Sequence, residues 1–327
     1  MRLRRVSVST PGYSRRAKGD GWVFLDVDAL PLTDEAEVVR CTRLAVPPAW
    51  SDVWICRYAN GHVQAFGRDA AGRGQYLYHE QWSARRARRK HDHVLEVGRR
   101  LPGARRTVSR DLALPGLPRP KALALAFRLL DEAYFRAGGE VYARRHRSFG
   151  LATIRKEHAT VRRDGSVHFR YPAKSGQVRD VLVEDPVVAQ VVSTLKRRRG
   201  GAELLAWREE RSRGGVVWHD VSSADVQRDV KDRLGEDATP KDFRTWHATV
   251  LTARALAAVE PPSSERGRRR VVTGIVRDVA EELGNTPAVA RSSYIDPRLF
   301  DLWEQGRTIG GVSSRSAAER AVLELLS

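Results

Sequence analysis

Short runs of alternating apolar and polar residues dominate the first quarter of the chain. Between about Gly21 and Trp82, Val53–Tyr58 and His62–Phe66 flank Asn60-Gly61, a strong hairpin signal, and Gln75–His79 offers a further strand. A small antiparallel β domain is expected there. From Trp82 to Arg106 the pattern gives way to a basic run broken by Gly98, Pro102 and Gly103. The domain boundary is placed in this run, dividing the chain into 1–90 and 91–327. Helical periodicity then takes over. Pro120 opens an apolar-rich helix that runs to Phe135-Arg136 and stops at Gly138-Gly139, with proline at the start and glycine past the end. A three-stranded antiparallel meander follows: His158–Arg163, the turn Asp164-Gly165, Ser166–Tyr171, the loop Ala173-Lys174-Ser175-Gly176, then Gln177–Val183. Helices are expected at roughly 185–198, 222–234, 240–258, 271–283 and 287–295, with two more near 297–305 and 314–326, and a mobile loop over Glu260–Gly267. The expected fold class is α+β: a small N-terminal antiparallel β-sheet domain and a larger, mainly α-helical domain containing a three-stranded antiparallel sheet.

Length agrees with two domains, since 327 residues exceed the roughly 100–200 usual for one. No apolar run approaches the roughly 18 residues of a membrane span, and the basic N-terminus leads into Val6-Ser7-Val8-Ser9-Thr10 rather than an apolar signal core. Cys41 and Cys56 are too few for a disulfide framework and lack the paired spacing of a zinc site. These features predict a cytoplasmic protein. Charge narrows the partner: 58 Lys+Arg against 40 Asp+Glu gives +18, which favours a polyanion, foremost nucleic acid. Codon bias in a GC-rich genome would explain fifty arginines beside eight lysines, but it leaves the net charge unexplained. It also makes each lysine informative, because an ammonium that must shed a proton cannot be replaced by guanidinium. No phosphate-cradling G-x-x-x-x-G-K-[ST] loop is present, so nucleotide-driven work has no support, and no cofactor is expected. His91-Asp92-His93 sits in a basic run without further ligands and reads as a solvated face rather than a metal site.

Two capped helix starts carry the candidate chemistry. In Leu283–Tyr294, Gly284 ends one helix, Thr286 is an expected N-cap and Pro287 the first helical residue, so Tyr294 should lie about two turns along a short helix whose start carries Asn285. In Thr239–Thr249, Arg244 falls in the first turns, where free amides and the helix dipole favour a phosphate. Arg136, at the end of its own helix, is a second candidate clamp. Taken singly, each also reads as ordinary packing or surface charge.

Together these residues resemble the poxvirus-like, or bacterial, type IB DNA topoisomerases over almost the whole chain. In the N-terminal domain the resemblance rests on Val46-Pro47-Pro48-Ala49-Trp50 leading into Val53-Trp54-Ile55, and on Gly67-Arg68-Asp69-x-x-Gly72-Arg73-x-Gln75-Tyr76-x-Tyr78-His79. It implies DNA contacts from Arg68, Arg73, Tyr76, Tyr78 and His79. In the catalytic domain Phe135-Arg136-Ala137-Gly138 looks like the first catalytic arginine, Lys174 like the catalytic lysine, and Phe243-Arg244-Thr245-Trp246 like the second arginine. Leu283-Gly284-Asn285-Thr286-Pro287 followed by Tyr294 resembles the last box, with Asn285 where the family usually has histidine, nine residues before the tyrosine. Such a set would relax supercoiled duplex DNA. Tyr294 would form a covalent phosphotyrosine, Arg136 and Arg244 would grip the nonbridging oxygens, Lys174 would protonate the departing 5′ oxygen, and Asn285 would donate an uncharged hydrogen bond. The resemblance further implies a 3′ linkage, no metal, and a monomer that clamps DNA between its domains.

Two alternatives share some of these features. A tyrosine recombinase or integrase has the same residue types, but usually carries histidine three positions before the second arginine, where this chain has Lys241, and a helical rather than β-rich N-terminal domain. A noncatalytic architectural DNA-binding protein would explain the charge but not the joint placement of Tyr294, Lys174, Arg136 and Arg244.

Overall fold

Each β-sheet among the described residues joins strands consecutive in sequence, and every pairing within the sheets is antiparallel. The computed structural model describes residues 1–211 and 215–327. The chain divides into two compact units, Met1–Lys90 and His91–Ser327.

The first unit holds the hairpin β1 (Ser14–Lys18) and β2 (Gly21–Leu25), the helix α1 (Glu35–Arg43), and the sheet β3 (Ser51–Ile55), β4 (Val63–Arg68) and β5 (Gly74–Tyr78). Phe24, Cys41, Val46, Ile55 and Ala65 form its small core. Helix α1 was not expected in the β-rich stretch. Its nine residues present one buried side chain, Cys41, too little periodicity to register, and the start is set by Asp34, whose carboxylate accepts from the amides of Ala36 and Glu37. The Asn60-Gly61 signal does lie between paired strands, but not as a two-residue turn, because the connection runs over residues 56–62. Gly61 is required for space rather than for a left-handed backbone: a Cβ there would stand 2.5 Å from the Cys56 sulfur.

The basic run from Trp82 to Arg106 is not an irregular linker. It lies within one helix, α2 (Glu80–Leu112), that tolerates Pro102. Buried His91, Val94, Leu95, Gly98, Leu101, Ala104, Val108 and Leu112 follow the three-to-four-residue spacing of one helix face, a stripe that the arginines and the helix-breaking residues obscure in the sequence. Helix α3 (Arg119–Ala133) stops at Tyr134, whose left-handed φ of 55° ends it before Phe135-Arg136, earlier than the glycines suggested. Gly138 serves a different purpose, since a Cβ on it would meet the Gly150 backbone at 2.8 Å.

After α4 (Glu140–His146), the expected meander forms as β6 (Ala159–Val161), β7 (Val167–Pro172) and β8 (Val178–Val183), followed by α5 (Pro186–Arg197). A hairpin of β9 (Ala206–Glu210) and β10 (Val216–Asp220) was, like α4, not anticipated. Then come α6 (Ser223–Leu234), α7 (Pro240–Ala257), α8 (Glu265–Leu283), α9 (Pro287–Ser293), α10 (Arg298–Glu304) and α11 (Arg315–Leu326). The loop expected over Glu260–Gly267 is shorter, because the Ser264 hydroxyl accepts from the Gly267 amide and starts α8 early. The architecture is the expected α+β class. Phe127, Phe135, Phe169, Phe243, Trp246 and Trp303 fill the second unit's core, with α7 buried along most of its length. Among the described residues no helix is long and apolar enough to cross a membrane.

Helices α2 and α7 meet where Gly98 faces Trp246, and a Cβ at Gly98 would stand 2.7–2.9 Å from three carbons of the indole ring. Alanine favours a helix over glycine by about 1 kcal/mol, but overpacking a filled core is unfavourable by about 1–3 kcal/mol. Gly98→Ala is therefore expected to be destabilising in chemical denaturation; a gain in stability would show that this contact can relax.

Candidate active site

Two helix C-termini converge, and arginines from elsewhere in the fold cap them. Neither α3 nor α8 has a basic residue in its own last turn. Arg244, on α7, donates through Nη1 to the Tyr134 carbonyl and through Nη2 to the Leu283 carbonyl at 2.7 Å. Arg179, on β8, uses Nη2 to reach the carbonyls of Ala133 at 3.3 Å and Glu282 at 2.8 Å. Arg136 donates to the Gly284 carbonyl at 2.9 Å and to Asn285 Oδ1 at 2.5 Å. Three successive carbonyls of α8, at 282, 283 and 284, each hold one guanidinium. The negative ends of two helix dipoles meet the crowded cations. Burial and the nearby Arg136 pull the Arg244 pKa down to about 10, opposed by the Tyr294 phenol, so Arg244 stays charged at neutral pH.

Tyr294 does not lie within the short helix but caps its C-terminus, its amide donating to the Ala290 carbonyl at 3.0 Å. Its side chain is buried, with the Arg244 guanidinium carbon 5.2 Å and Lys241 Nζ 5.7 Å from the ring centroid. The Asn285 amide has a defined orientation. A guanidinium can only donate, so the oxygen must face Arg136, leaving Nδ2 as the free donor. Asn285 Nδ2 and Arg244 Nε are both buried and without a hydrogen-bond partner among the described residues. A second tyrosine nearby, Tyr171, is a poor nucleophile, since burial pushes its pKa up to about 12 against the pull of Arg179, Arg136 and Arg244.

Arg136, Arg244, Asn285 and Tyr294 are thus brought together, Arg136 from beyond the end of α3 rather than from its last turn. Among the described residues no hydrogen bond or ion pair joins Lys174 to them. It stands exposed in the short turn Lys174–Gly176 between β7 and β8, with no polar partner among the described residues.

In the first unit Tyr76 and Tyr78 project from one face of β5, 45% and 38% exposed, their rings stacked at 5.9 Å with Arg86 5.5 Å over Tyr78. Arg68 is exposed, bonded to the Gly72 carbonyl and 3.5 Å from Asp52. Arg73 is tied to Asp69, whose pKa its hydrogen bonds lower to about 2. The His79 ring accepts from the Gln81 amide at 3.1 Å, a capping contact at the start of α2.

Sequence reading missed Arg179 and a buried ionic network behind Tyr134. Arg105 bonds both carboxylate oxygens of Asp131 and of Glu319, and Arg315 bonds Asp131, its backbone carbonyl and Glu319. His247 Nε2 lies 2.9 Å from Asp131 Oδ1, and its ring is 5.1 Å from the Tyr134 ring. Helices α2, α3, α7 and α11 are joined by this cluster. The only sequence signal was a set of charged residues inside otherwise apolar helical stripes. Among the described residues no group of His, Cys, Asp or Glu could hold a metal; Asp92 pairs with Arg298 at 2.9 Å, and His93 lies 3.4 Å from Asp242.

The fold agrees with the comparisons to known proteins. Residues 79–301 match the model of the family described as eukaryotic DNA topoisomerase I, catalytic core, and residues 21–69 match that of the bacterial DNA topoisomerase IB N-terminal domain. The chain is also 25% identical over 296 residues to a DNA topoisomerase 1B of Acanthamoeba polyphaga mimivirus, covering 90% of this chain and 88% of that protein. It defines an enzyme of the DNA isomerase class, acting on duplex DNA. Within that class the chain belongs to the type IB topoisomerases of bacterial and poxvirus-like kind.

The buried network makes stability depend on pH with a definite sign. Burial lowers the His247 pKa; burial works against the Asp131 and Glu319 carboxylates, but hydrogen bonds from His247 and Arg105 to Asp131 and from Arg105 to Glu319 hold both below their usual range. All three bind fewer protons folded than unfolded, so acid favours the unfolded chain. Stability should fall as pH drops below about 6.5, where unfolded histidine protonates, and further below about 4, where carboxylates do. Asp131→Asn, which leaves Arg105 and Arg315 poorly compensated, should lose about 3–5 kcal/mol at pH 7. Urea midpoints at pH 7, 5.5 and 4 test this, and an unchanged wild-type midpoint would contradict it.

Proposed function

We propose that the chain relaxes supercoiled duplex DNA by transient single-strand cleavage, with Tyr294 as nucleophile, Arg136, Arg244 and Asn285 binding the scissile phosphate, and Lys174 as general acid. The observation that carries this reading is the pair of buried, unpartnered donors, Arg244 Nε and Asn285 Nδ2, in the cluster that holds the Tyr294 ring. Buried donors without acceptors are unfavourable by about 1–3 kcal/mol each. A phosphate with two nonbridging oxygens would satisfy both.

In the reaction the Tyr294 oxygen loses its proton and attacks phosphorus. The bond to the 5′ oxygen breaks, Lys174 supplies the proton that oxygen needs, and a 3′-phosphotyrosyl bond remains while the free strand rotates. Resealing reverses each step. No bond energy is lost, so ATP has no part. The charge that builds on the nonbridging oxygens is met by two preorganised guanidiniums, which supply what a divalent ion would otherwise bring. Asn285 adds a donor without charge. The exposed turn suits Lys174 to this task, because the lysine must reach a leaving group that arrives with the DNA.

The N-terminal unit would add contacts to the duplex, with Tyr76, Tyr78, Arg68 and Arg73 exposed for it, although both arginines and His79 also carry intramolecular bonds. The chain would act as a monomer that grips DNA with both units.

Relaxation of a supercoiled plasmid in EDTA without ATP tests the activity; a fixed linking number would refute it. Tyr294→Phe should bind duplex DNA with wild-type affinity yet form no denaturant-stable protein–DNA adduct, and an adduct with this variant would displace Tyr294 from its role. Lys174→Ala should slow cleavage by about 10²–10⁴, the usual range for a lost general acid. A substrate with sulfur at the 5′ bridging position departs without protonation, so the Ala variant should regain most of its rate. Equal rescue of Arg136→Ala and Arg244→Ala would instead make Lys174 one more charge clamp.

A further inference from the structure

We infer that Arg179 is a positioning residue of this site, the strut that holds the ends of α3 and α8 together so that Arg244 and Arg136 face the phosphate. The inference rests on the proposed role of those two arginines. Arg179 enters from β8, opposite Tyr171 in the sheet register, and a single terminal nitrogen bonds the Ala133 and Glu282 carbonyls. Arg244 bridges the next carbonyl of each helix, Tyr134 and Leu283. The two guanidiniums are therefore parallel rungs between the same pair of helix ends. Arg136 hangs from the following carbonyl, Gly284.

Packing reinforces the link. Gly284 has φ of +61°, and a Cβ there would come within 2.9 Å of Arg179 Nη1, so the guanidinium lies against the peptide that anchors Arg136. Half-buried and engaged by two main-chain oxygens, Arg179 is committed to carbonyls rather than to DNA. Its removal would free the two helix ends to part, shifting the Tyr134 and Leu283 oxygens that orient Arg244. A displacement of about 1 Å at a reacting centre can reduce rate by about 10²-fold. Lysine cannot substitute fully, since its ammonium brings no planar guanidinium to lie against the Gly284 peptide while donating to both ends.

The test measures single-turnover cleavage of a duplex oligonucleotide, together with DNA affinity across a salt titration, for Arg179→Ala, Arg244→Ala and the double variant. Arg179→Ala is expected to cleave about 10²-fold more slowly with an unchanged salt slope, because no phosphate contact is lost. Since Arg179 acts through Arg244 and Arg136, adding it to Arg244→Ala should slow cleavage by much less than it does alone. Independent, multiplicative losses would overturn the inference, as would a salt slope smaller by about one unit, which would mark a direct phosphate contact. If Arg179→Ala does not fold, Arg179→Lys carries the same comparison. Wild-type cleavage by either folded variant beside an impaired Arg244→Ala would sink the inference alone; an unimpaired Arg244→Ala would sink the reading of the site itself.

Discussion

The catalytic unit turns on one electrostatic problem: three guanidiniums, Arg136, Arg179 and Arg244, must lie close together in a largely dry site. Like charges repel there more than in water. The fold answers with main-chain oxygen. Five carbonyls from the last turns of α3 and α8 accept from the three side chains, and both helix dipoles present their negative ends to the cluster. Helices lacking basic residues in their own last turns are thereby capped, and arginines that would otherwise repel are held in fixed directions.

Local backbone conformation follows from that arrangement. Tyr134 adopts a left-handed φ of 55°, unfavourable for a bulky residue, yet this ends α3 at the point where the Tyr134 carbonyl can meet Arg244. The His247–Asp131 pair and Arg315 hold the same turn from behind. Gly284, also left-handed, ends α8 and points its carbonyl at Arg136, while Asn285 completes the grip and keeps its amide nitrogen free. A residue that looks like a weak substitute for histidine is thus oriented by the arginine beside it.

Much of this was legible before any coordinates. The strands of the β3–β4–β5 sheet, the meander and most helices follow from periodicity two and 3.6 and from punctuation by Pro, Gly, Thr and Ser, because those signals act within a few residues of each other. Capped starts located Arg244, Asn285 and Tyr294 on neighbouring elements, and family resemblance added Lys174. Helix α2 escaped because a 33-residue amphipathic stripe interrupted by Gly98, Pro102 and Gly103 reads locally as a breaker-rich linker, whereas packing of Gly98 on Trp246 makes the glycine an asset. Helix α1 escaped because it buries little.

Sequence alone therefore supplied the expectation of two parts, the charge that favours a polyanionic partner, and the candidate residues of the proposed phosphodiester chemistry. Only tertiary structure decided which arginines cap which carbonyls, that Arg179 joins the cluster, that His247 is sealed against Asp131 rather than open to the site, and that Asn285 presents its nitrogen. These choices depend on contacts between residues far apart in the chain, such as Arg136 with Asn285 and Arg105 with Glu319. No local pattern encodes them, since a guanidinium has the same propensities wherever its acceptor lies.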